Sequence, residues 1–502
     1  MRRDEPYSSV VDLLDYRSWV HSSKLALISG KLRLTYRDVF ERTAKISSAL
    51  NEAGAGGRNV AFLLKNGPDL VCSYLACFES GAIAVPLNPK LTLPELDFYL
   101  AKCNIGWLLV EKENLAQIRA NVSRLAPERI IAVRDFASSA ATERRDIPAE
   151  MPAVIFHTSG STKLPKGVVH TRRSFVSSIE PFFCEPFLSR YRVPPKEFVY
   201  LNVASMADTV GIIHVLWTLF AGGSVVILET FDVERYLAAL ERFAPTHTTL
   251  FLPQAVKLFR HESVERRHFQ NIQMLCIAGD KTPVELINRC VAVSGVVPLI
   301  GYGLTESFVV ALNLSVSPDK FGSMGKPLPS VEIQIVDKRN NPVPPGNTGE
   351  IILRSPQNMI GYWRQATETK RAFFHGFWLK TGDYAYQDSD GYLWFTERKK
   401  QIIIRGGENI SPREIEAVLY SHPAIKLAAV IGVPHPEQGE VPRAFVVLNK
   451  DQQVGREELL AFLRARLIYF KVPDDIEFVD HLPVGRTGKI DRRKLRDSVI
   501  KE

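Results

Sequence analysis

Hydrophobic runs of strand length alternate with amphipathic stretches through about the first 300 residues of the chain. Short continuous apolar runs are typical of buried strands, and apolar positions that recur with the helical period are typical of helices. Five consecutive examples are a strand at 59–64, a helix at 69–80, a strand at 82–86, a helix at 95–103 and a strand at 107–110. This alternation predicts an α/β fold in which parallel sheets are layered with helices.

The pattern changes twice further along the chain. From about residue 331 it predicts short strands at 331–337, 340–346 and 350–354, which indicates a β-rich subdomain. After residues 398–400 it predicts a compact α+β arrangement, with helices at 412–421 and 456–467 and strands at 427–433 and 443–448. We therefore expect a large N-terminal domain, residues 1–398, and a small mobile C-terminal domain, residues 399–502.

The composition allows a large core and a second domain, since 45% of the 502 residues are hydrophobic and 24% are charged. The formal net charge of +8 is modest, and a small polyanionic substrate accounts for it as well as nucleic acid would. The basic cluster at 492–496 is interpreted as a solvated helix face, and no basic stripe is interleaved with aromatic residues. Nucleic acid is therefore not an expected partner.

The six cysteines, at positions 72, 77, 103, 184, 276 and 290, form no Cys-x-x-Cys pair and lie in apolar surroundings. This usage is typical of free thiols in a reducing compartment. The longest apolar segment, near 212–228, is interrupted by Gly222 and Gly223, and no apolar run follows the charged N-terminus. We expect a soluble cytoplasmic protein with no integral membrane span.

The stretch 158–168, Thr-Ser-Gly-Ser-Thr-Lys-Leu-Pro-Lys-Gly-Val, follows an apolar run that predicts a buried strand. Hydroxyls, ammonium groups and backbone N–H groups on a glycine-containing loop at a strand end suit phosphate oxygens. The candidate ligands are Thr158, Ser159, Gly160, Ser161, Thr162, Lys163 and Lys166. A Walker A loop is excluded because Pro165 stands where its second glycine belongs. A polar turn that binds nothing is the alternative interpretation.

The same stretch resembles the phosphate loop of the adenylate-forming superfamily, which contains acyl- and aryl-CoA synthetases, amino-acid adenylation domains and luciferases. The usual form of that loop is Thr-Ser-Gly-Thr/Ser-Thr-Gly-x-Pro-Lys-Gly, and Lys163 replaces its second glycine. A side chain at this position restricts the loop and adds a cation, so we expect it to affect loop mobility and ATP affinity. The resemblance extends over almost the whole chain through five ordered motifs.

A second motif, Gly301-Tyr302-Gly303-Leu304-Thr305-Glu306, follows the apolar run 296–300. An aromatic ring can stack on a purine. A carboxylate is a hard oxygen ligand for Mg²⁺, and substrate phosphates can supply other ligands of the same ion. Taken alone, the hexapeptide is also compatible with an ordinary turn. The resemblance implies that Tyr302 lies along adenine, that Glu306 helps to hold the metal, and that Thr305 belongs to the catalytic set. It also implies that Gly279 and Asp280 lie beside the adenine.

The segment Thr381-Gly382-Asp383 follows the aromatic strand 377–379. A carboxylate at a strand end is well placed to accept hydrogen bonds from both ribose hydroxyls, and a simple turn is the alternative. The resemblance assigns Asp383 to the ribose and Arg398 to ribose or phosphate. It places a hinge at Lys400, and it brings Gly406 and Gly407 close to the pantetheine channel. It identifies Lys489, within 483–492, as the lysine that enters the site during adenylation.

The reaction that the resemblance implies has two steps. A carboxylate attacks the α-phosphate of ATP to form an acyl-adenylate, and pyrophosphate leaves. A thiol then attacks the carbonyl carbon of that mixed anhydride to form the thioester, and AMP leaves. The implied cofactors are ATP, Mg²⁺ and CoA, or the phosphopantetheine of an acyl or peptidyl carrier protein in place of CoA. The leading hypothesis is an acid-CoA ligase. The others are a stand-alone enzyme that loads an amino acid or β-amino acid onto a carrier protein, and a weakly active nucleotide-binding protein.

The acid pocket is expected from residues 202–216, which include Asp208 and Gly211, from the segment before Gly301, and from residues after Glu306 such as Phe308. These stretches are apolar and favour a hydrophobic or aromatic acid. Asp208 has two interpretations, because it precedes the predicted helix 209–219 as a favoured N-cap residue, whereas amino-acid-activating relatives use such an Asp to pair with the substrate ammonium.

Overall fold

The computed structural model describes residues 21–134, 147–158, 165–183, 185–398, 401, 403–405, 408–450, 452–484 and 490–499. The strands are β1 (Leu25–Ser29), β2 (Leu32–Thr35), β3 (Asn59–Leu63), β4 (Ile83–Pro86), β5 (Ile105–Val110), β6 (Ile130–Ala132), β7 (Pro152–His157), β8 (Gly167–Thr171), β9 (Val199–Asn202), β10 (Ser224–Ile227), β11 (His247–Phe251), β12 (Met274–Ala278), β13 (Leu299–Leu304), β14 (Phe308–Asn313), β15 (Lys326–Pro327), β16 (Glu332–Val336), β17 (Gly349–Arg354), β18 (Gly361–Tyr362), β19 (Phe373–Phe374), β20 (Trp378–Gln387), β21 (Leu393–Arg398), β22 (Ile403–Arg405), β23 (Glu408–Ile410), β24 (Ile425–His435), β25 (Gly439–Leu448) and β26 (Asp475–Phe478).

The α-helices are α1 (Tyr36–Glu52), α2 (Pro68–Ser80), α3 (Leu93–Lys102), α4 (Leu115–Asn121), α5 (Arg172–Ser177), α6 (Glu185–Leu188), α7 (Thr209–Phe220), α8 (Val233–Phe243), α9 (Leu252–Phe259), α10 (Val284–Ser294), α11 (Ala366–Ala372), α12 (Pro412–Tyr420), α13 (Arg456–Arg464) and α14 (Arg492–Val499). Across the ranges described, no helix combines the length and the apolar character that a bilayer crossing requires.

Two large sheets carry the N-terminal part of the chain. One has nine strands in the order β15-β14-β13-β12-β11-β9-β10-β1-β2, and the other has seven in the order β18-β8-β7-β4-β3-β5-β6. Their interior neighbours pair in parallel, and antiparallel strands lie toward the edges. Strands β3 and β12 are buried along their whole length, as expected for parallel strands covered on both faces. The predicted α/β fold is confirmed.

A third sheet forms the β-rich subdomain, with β16-β17-β20-β19 in order and β21 paired to β20. The predicted strand at 340–346 is wrong, because this segment contributes only an isolated bridge between Val336 and Pro342. Three prolines, at 342, 344 and 345, remove the N–H groups that a strand ladder needs. The alternating pattern there belongs to a turn region.

The C-terminal part has its own five-stranded sheet, in which β23-β22-β25-β24 are neighbours and β26 pairs with β25. Every strand of this sheet follows residue 402, whereas β21 of the third sheet ends at Arg398. The division of the chain near 398–400 therefore remains a prediction that agrees with this sheet membership. The Ser411 hydroxyl, at the start of α12, donates to the Thr396 carbonyl at 3.3 Å. This hydrogen bond links α12 to strand β21 of the third sheet.

Histidines take part in the buried aromatic core near α7. The Tyr200 ring stacks between His247, at a centroid distance of 4.9 Å, and His214, at 5.7 Å. His247 Nε2 lies 3.0 Å from the Thr218 hydroxyl. Burial lowers the pKa of both imidazoles, so they are neutral in the folded chain. Burial likewise lowers the pKa of His170 to about 4 and that of His157 to about 3.

These four neutral imidazoles predict a loss of stability in mild acid. Their pKa values are depressed on folding, so between about pH 6.5 and pH 4 the unfolded chain binds more protons than the folded chain. Stability should therefore fall as the pH falls through this window, by up to about 1.4 kcal/mol per pH unit for each histidine. Unfolding measured from pH 7 to pH 5 gives the slope. His157→Leu should lower this slope by up to about one proton, because the pKa of His157 in the folded chain is about 3. A flat stability profile over this pH range would contradict the expectation.

Two glycines have the same left-handed backbone conformation but differ in the space available for a side chain. Gly325, with φ of 82°, lies between β14 and β15, and a Cβ there would stand 1.9 Å from the carbonyl carbon of Leu312. Gly346 has nearly the same φ, 85°, but nothing lies within 4 Å of its Cβ position. We expect Gly346→Ala to cost about 1–2 kcal/mol, which is the left-handed backbone penalty alone. Gly325→Ala should cost at least about 3 kcal/mol. Urea unfolding measures the free energy of unfolding of both variants, and equal losses in the two would refute the steric argument.

Candidate active site

The predicted phosphate loop connects two antiparallel strands of the seven-stranded sheet. Strands β7 and β8 pair as far as His157 and Gly167. Beyond that pair, the Thr158 N–H donates to the Lys166 carbonyl at 3.1 Å, and the Lys166 N–H donates to the Thr158 hydroxyl at 3.3 Å. The ladder thus continues to both ends of the loop. Ser159, Gly160, Ser161, Thr162 and Lys163 lie outside the described residues.

The C-terminal end of α3 contacts both stems of this hairpin. Lys102 donates its ammonium to the Pro165 carbonyl. Cys103 Sγ lies 3.2 Å from His157 Nε2, and the Tyr99 ring meets the His157 ring edge-on at 4.6 Å. Sequence analysis missed Lys102, because a lysine in the last turn of a helix is favoured by the helix dipole whatever it touches.

The Glu306 turn lies between β13 and β14. Position 303 has no room for a side chain, because a Cβ there would stand 2.3 Å from the Phe308 carbonyl oxygen. The Thr305 carbonyl lies 2.7 Å from His170 Nε2 on β8, which ties this turn to the phosphate hairpin. Phe308, predicted to line the acid pocket, is 3% exposed and packs at 4.2 Å on His170. Its ring is part of the core beneath the turn.

The structure brings Tyr302, Asp383 and Arg398 together. The Tyr302 hydroxyl donates to Asp383 Oδ2 at 2.8 Å, and Arg398 Nε donates to Oδ1 at 2.9 Å. Burial raises the pKa of Tyr302, and the Asp383 carboxylate raises it further. The same carboxylate raises the pKa of Arg398. Because a carboxylate has about four acceptor positions, Asp383 retains capacity for further donors such as sugar hydroxyls.

Gly279 and Asp280, predicted to lie beside the adenine, follow β12 at the carboxyl edge of the nine-stranded sheet. Asp280 forms an ion pair with Arg413 of α12, in the C-terminal part of the chain. Burial by itself would raise the pKa of Asp280, but Arg413 and Arg492 outweigh it and hold the pKa at about 2. This carboxylate is therefore ionised and committed to the C-terminal segment in this structure.

Tyr362 is a site residue that sequence analysis missed. Its hydroxyl donates to Glu306 Oε1 at 2.8 Å, and its ring centroid lies 4.4 Å from Lys166 Nζ. Lys166 Nζ also pairs with Glu368 at 2.6 Å. The sequence gives no signal for these contacts, since Tyr362 lies 56 residues from Glu306 in the chain.

The segment predicted to bind the acid precedes α7. Asp208 occupies the N-cap position, with φ of −106° and ψ of 156°, but its side chain makes no capping hydrogen bond to the helix. The Tyr74 hydroxyl donates to the Met206 carbonyl at 2.8 Å, which anchors the loop before it. Gly211 is required for packing, since a Cβ there would stand 2.2 Å from the Ser205 carbonyl oxygen. Gly301 pairs with Leu312 within the β13–β14 ladder.

Four further predicted residues, Lys400, Gly406, Gly407 and Lys489, lie outside the described residues. Residues 484 and 490, which flank the segment of Lys489, form an antiparallel bridge. Within the described part of the chain, no group of three or more His, Cys, Asp or Glu side chains is arranged to hold a metal ion. A lone carboxylate such as Glu306 fits Mg²⁺, which keeps several waters and takes its other ligands from phosphates.

Comparison with known proteins identifies the family of the chain. Residues 16–363 match the family described as AMP-binding enzyme, and residues 414–489 match the AMP-binding enzyme C-terminal domain. The chain is 33% identical to a feruloyl-CoA synthase from Amycolatopsis sp, over 94% of this chain and 95% of that protein. It is 32% identical to a 2-succinylbenzoate–CoA ligase from Bacillus licheniformis, over 96% and 100%, and 31% identical to a long-chain-fatty-acid–CoA ligase from Bacillus subtilis, over 92% and 90%.

Solved structures match over nearly the whole chain. ATP-bound MatB from Rhodopseudomonas palustris has a TM-score of 0.88 at 25% identity and covers 97% of this chain and 98% of its own. The o-succinylbenzoate CoA synthetase from Bacillus subtilis in complex with AMP has a TM-score of 0.84 at 28% identity, with coverage of 97% and 98%. The chain therefore belongs to the AMP-binding, adenylate-forming enzyme family and is an AMP-forming acid–thiol ligase of the acyl-CoA synthetase type.

Proposed function

We propose that this enzyme uses ATP to convert a hydrophobic or aromatic carboxylic acid to its acyl-adenylate and then transfers the acyl group to the thiol of CoA. The observation that carries the proposal is the meeting of three predicted motifs at one place. His170 of the phosphate hairpin contacts the Thr305 carbonyl, and Tyr302, three residues earlier on β13, donates a hydrogen bond to Asp383. The residues predicted to bind phosphate, metal and ribose thus lie on connected elements, which supports the proposal.

The chemistry explains why these residue types are needed. A carboxylate is a poor acyl donor because hydroxide is a poor leaving group. Conversion to the acyl-adenylate makes AMP the leaving group, which departs readily. Negative charge accumulates around the α-phosphorus during this step, and donors from Thr158, Lys166 and Lys489 would stabilise it. Mg²⁺, when bound through Glu306 and the phosphates, would supply additional charge neutralisation. Each preorganised donor of this kind contributes about 3–4 kcal/mol.

The second step needs a different arrangement of the C-terminal segment. We propose that rotation about Lys400 withdraws Lys489 and brings Gly406 and Gly407 toward the path of the thiol. Domain closure at a hinge of few residues is a common device for sequential chemistry. The ion pair between Asp280 and Arg413 joins the two parts of the chain across the proposed hinge, so such a rotation would have to break it.

The acid class is inferred from the apolar residues at the carboxyl edge of the nine-stranded sheet. Ala204, Phe251 and Ala278 form a small buried cluster there, and Val210 packs against it. These residues follow or end β9, β11 and β12, and ligands of open α/β sheets bind at such an edge. Relatives named for ferulate, 2-succinylbenzoate and long-chain fatty acids are consistent with an acid that has a large apolar part.

A second candidate is an enzyme that loads an amino acid or β-amino acid onto a carrier protein. Asp208 favours it, since it stands directly before α7, at the place where amino-acid-activating relatives carry an Asp that pairs with the substrate ammonium. A fatty acid–[acyl-carrier-protein] ligase from Streptomyces coeruleorubidus is 31% identical to the chain over 92% of it. This relative supports a carrier-protein acceptor, and its name indicates a fatty acid.

A pyrophosphate-exchange panel tests the two candidates. Fatty, aryl and amino acids are supplied one at a time, with thioester formation measured with and without CoA. We expect exchange with hydrophobic or aromatic acids and formation of their CoA thioesters. Exchange confined to amino acids, with no CoA thioester, would establish the carrier-loading alternative. Absence of exchange with every acid would refute both.

The role of Lys489 is tested by separating the two half-reactions. We expect Lys489→Ala to slow adenylation by about a hundred- to a thousand-fold, because it removes a donor to the charge on the α-phosphate. Thiolysis of supplied acyl-adenylate by CoA should be spared, since this step does not use the lysine. The exposed Lys494→Ala is the matched control and should leave both rates unchanged. Equal loss of both half-reactions in Lys489→Ala would argue against two arrangements of the C-terminal segment.

A further inference from the structure

Residues 358–363 form a strap that runs between the phosphate hairpin and the Glu306 turn. On one side, the Ile360 N–H donates to the Val169 carbonyl at 2.9 Å and the Trp363 N–H to the Gly167 carbonyl at 2.7 Å. On the other side, the Met359 N–H donates to the Glu306 carbonyl at 2.8 Å. The strap therefore holds main-chain atoms of both elements in one hydrogen-bonded assembly.

Tyr362 is the strap residue whose side chain reaches charged groups on both sides. Its hydroxyl donates to the Glu306 carboxylate at 2.8 Å, and Lys166 Nζ lies 4.4 Å from the centroid of its ring. The backbone around it is anchored, since the Tyr362 N–H donates to the Thr369 hydroxyl at 2.9 Å and β18 pairs with β8. One side chain thus contacts both the predicted metal ligand and the phosphate-loop lysine.

Both contacts orient a charge that the proposed reaction needs. A hydrogen bond to a carboxylate is among the stronger kinds in proteins, and it selects one rotamer of a flexible glutamate. A cation over an aromatic face is attracted by the ring quadrupole, and the Lys166 ammonium is held both by this ring and by its ion pair with Glu368. A phenol has an ordinary pKa of about 10 and is therefore a hydrogen-bond donor at neutral pH.

We propose that Tyr362 is a positioning residue for ATP activation, whose hydroxyl orients the Glu306 carboxylate and whose ring supports the Lys166 ammonium so that both face the triphosphate together. This inference rests on the proposed function, because it concerns how the same site holds nucleotide. It assigns the two halves of one side chain to two different tasks. Removal of the hydroxyl and removal of the whole ring should therefore have separable effects.

The experiment measures ATP binding by calorimetry without any acid, once with Mg²⁺ and once with EDTA, so that turnover plays no part. Tyr362→Phe keeps the ring and loses the hydroxyl, so the gain in ATP affinity that Mg²⁺ provides should fall by about tenfold, with affinity in EDTA unchanged. Tyr362→Leu should show the same loss and, in addition, about a threefold or greater loss in EDTA, because the support for Lys166 is gone.

Tyr392→Phe is the matched control, since the Tyr392 ring also lies beneath lysine ammonium groups, at 5.0 Å from Lys320 and 4.9 Å from Lys326. It should leave both affinities unchanged. In a Glu306→Gln background, Tyr362→Phe should have almost no further effect on the Mg²⁺ response, which a general loss of folding would not reproduce.

The outcomes separate this inference from the proposed function. If the unmodified enzyme catalyses pyrophosphate exchange and Tyr362→Phe retains the full Mg²⁺ response, the positioning role is overturned and the ligase proposal stands. If the unmodified enzyme neither binds ATP nor exchanges pyrophosphate, both are overturned. Additive effects of Tyr362→Phe and Glu306→Gln would also overturn the positioning role, because the hydroxyl would then act independently of the carboxylate.

Discussion

The buried Asp383 carboxylate is the interaction on which the rest of the candidate site depends. It is 2% exposed, and a buried carboxylate persists only where donors and opposite charge compensate its lost hydration. Its donors are Tyr302, from the nine-stranded sheet, and Arg398, from the same sheet as Asp383. Satisfying this one charge therefore constrains how the β-rich subdomain meets the edge of the nine-stranded sheet.

A second set of contacts joins the seven-stranded sheet to the same edge. His170 is buried and neutral, and it bridges from β8 to the Thr305 carbonyl, while the strap 358–363 bonds to both the phosphate hairpin and the Glu306 turn. Three sheets thus contribute to the candidate site. Their rigid strands allow charged groups on short turns to be held in fixed relation, which preorganised electrostatic catalysis requires.

Much of the fold was predictable from local pattern. The strands and helices between 59 and 110 lie within three residues of their predicted limits, because buried parallel strands are continuous apolar runs and the helices between them are amphipathic. The prediction of a strand at 340–346 is wrong, because the segment alternates polar and apolar residues but contains three prolines, which cannot donate to a strand ladder. Tyr302 and Asp383 were both predicted to contact the nucleotide, and their direct hydrogen bond to each other was not predicted.

The sequence by itself determined the family, the order of the motifs and the chemical groups that each motif presents, because these are properties of residues close together in the chain. Only the tertiary structure decided that Tyr362 contacts Glu306 and Lys166, that Lys102 holds Pro165, and that Phe308 points into the core. Such contacts join residues separated by 56 to 196 positions or depend on which face of a hairpin is buried. Packing between sheets determines them, and no local pattern of polar and apolar residues encodes which sheet faces which.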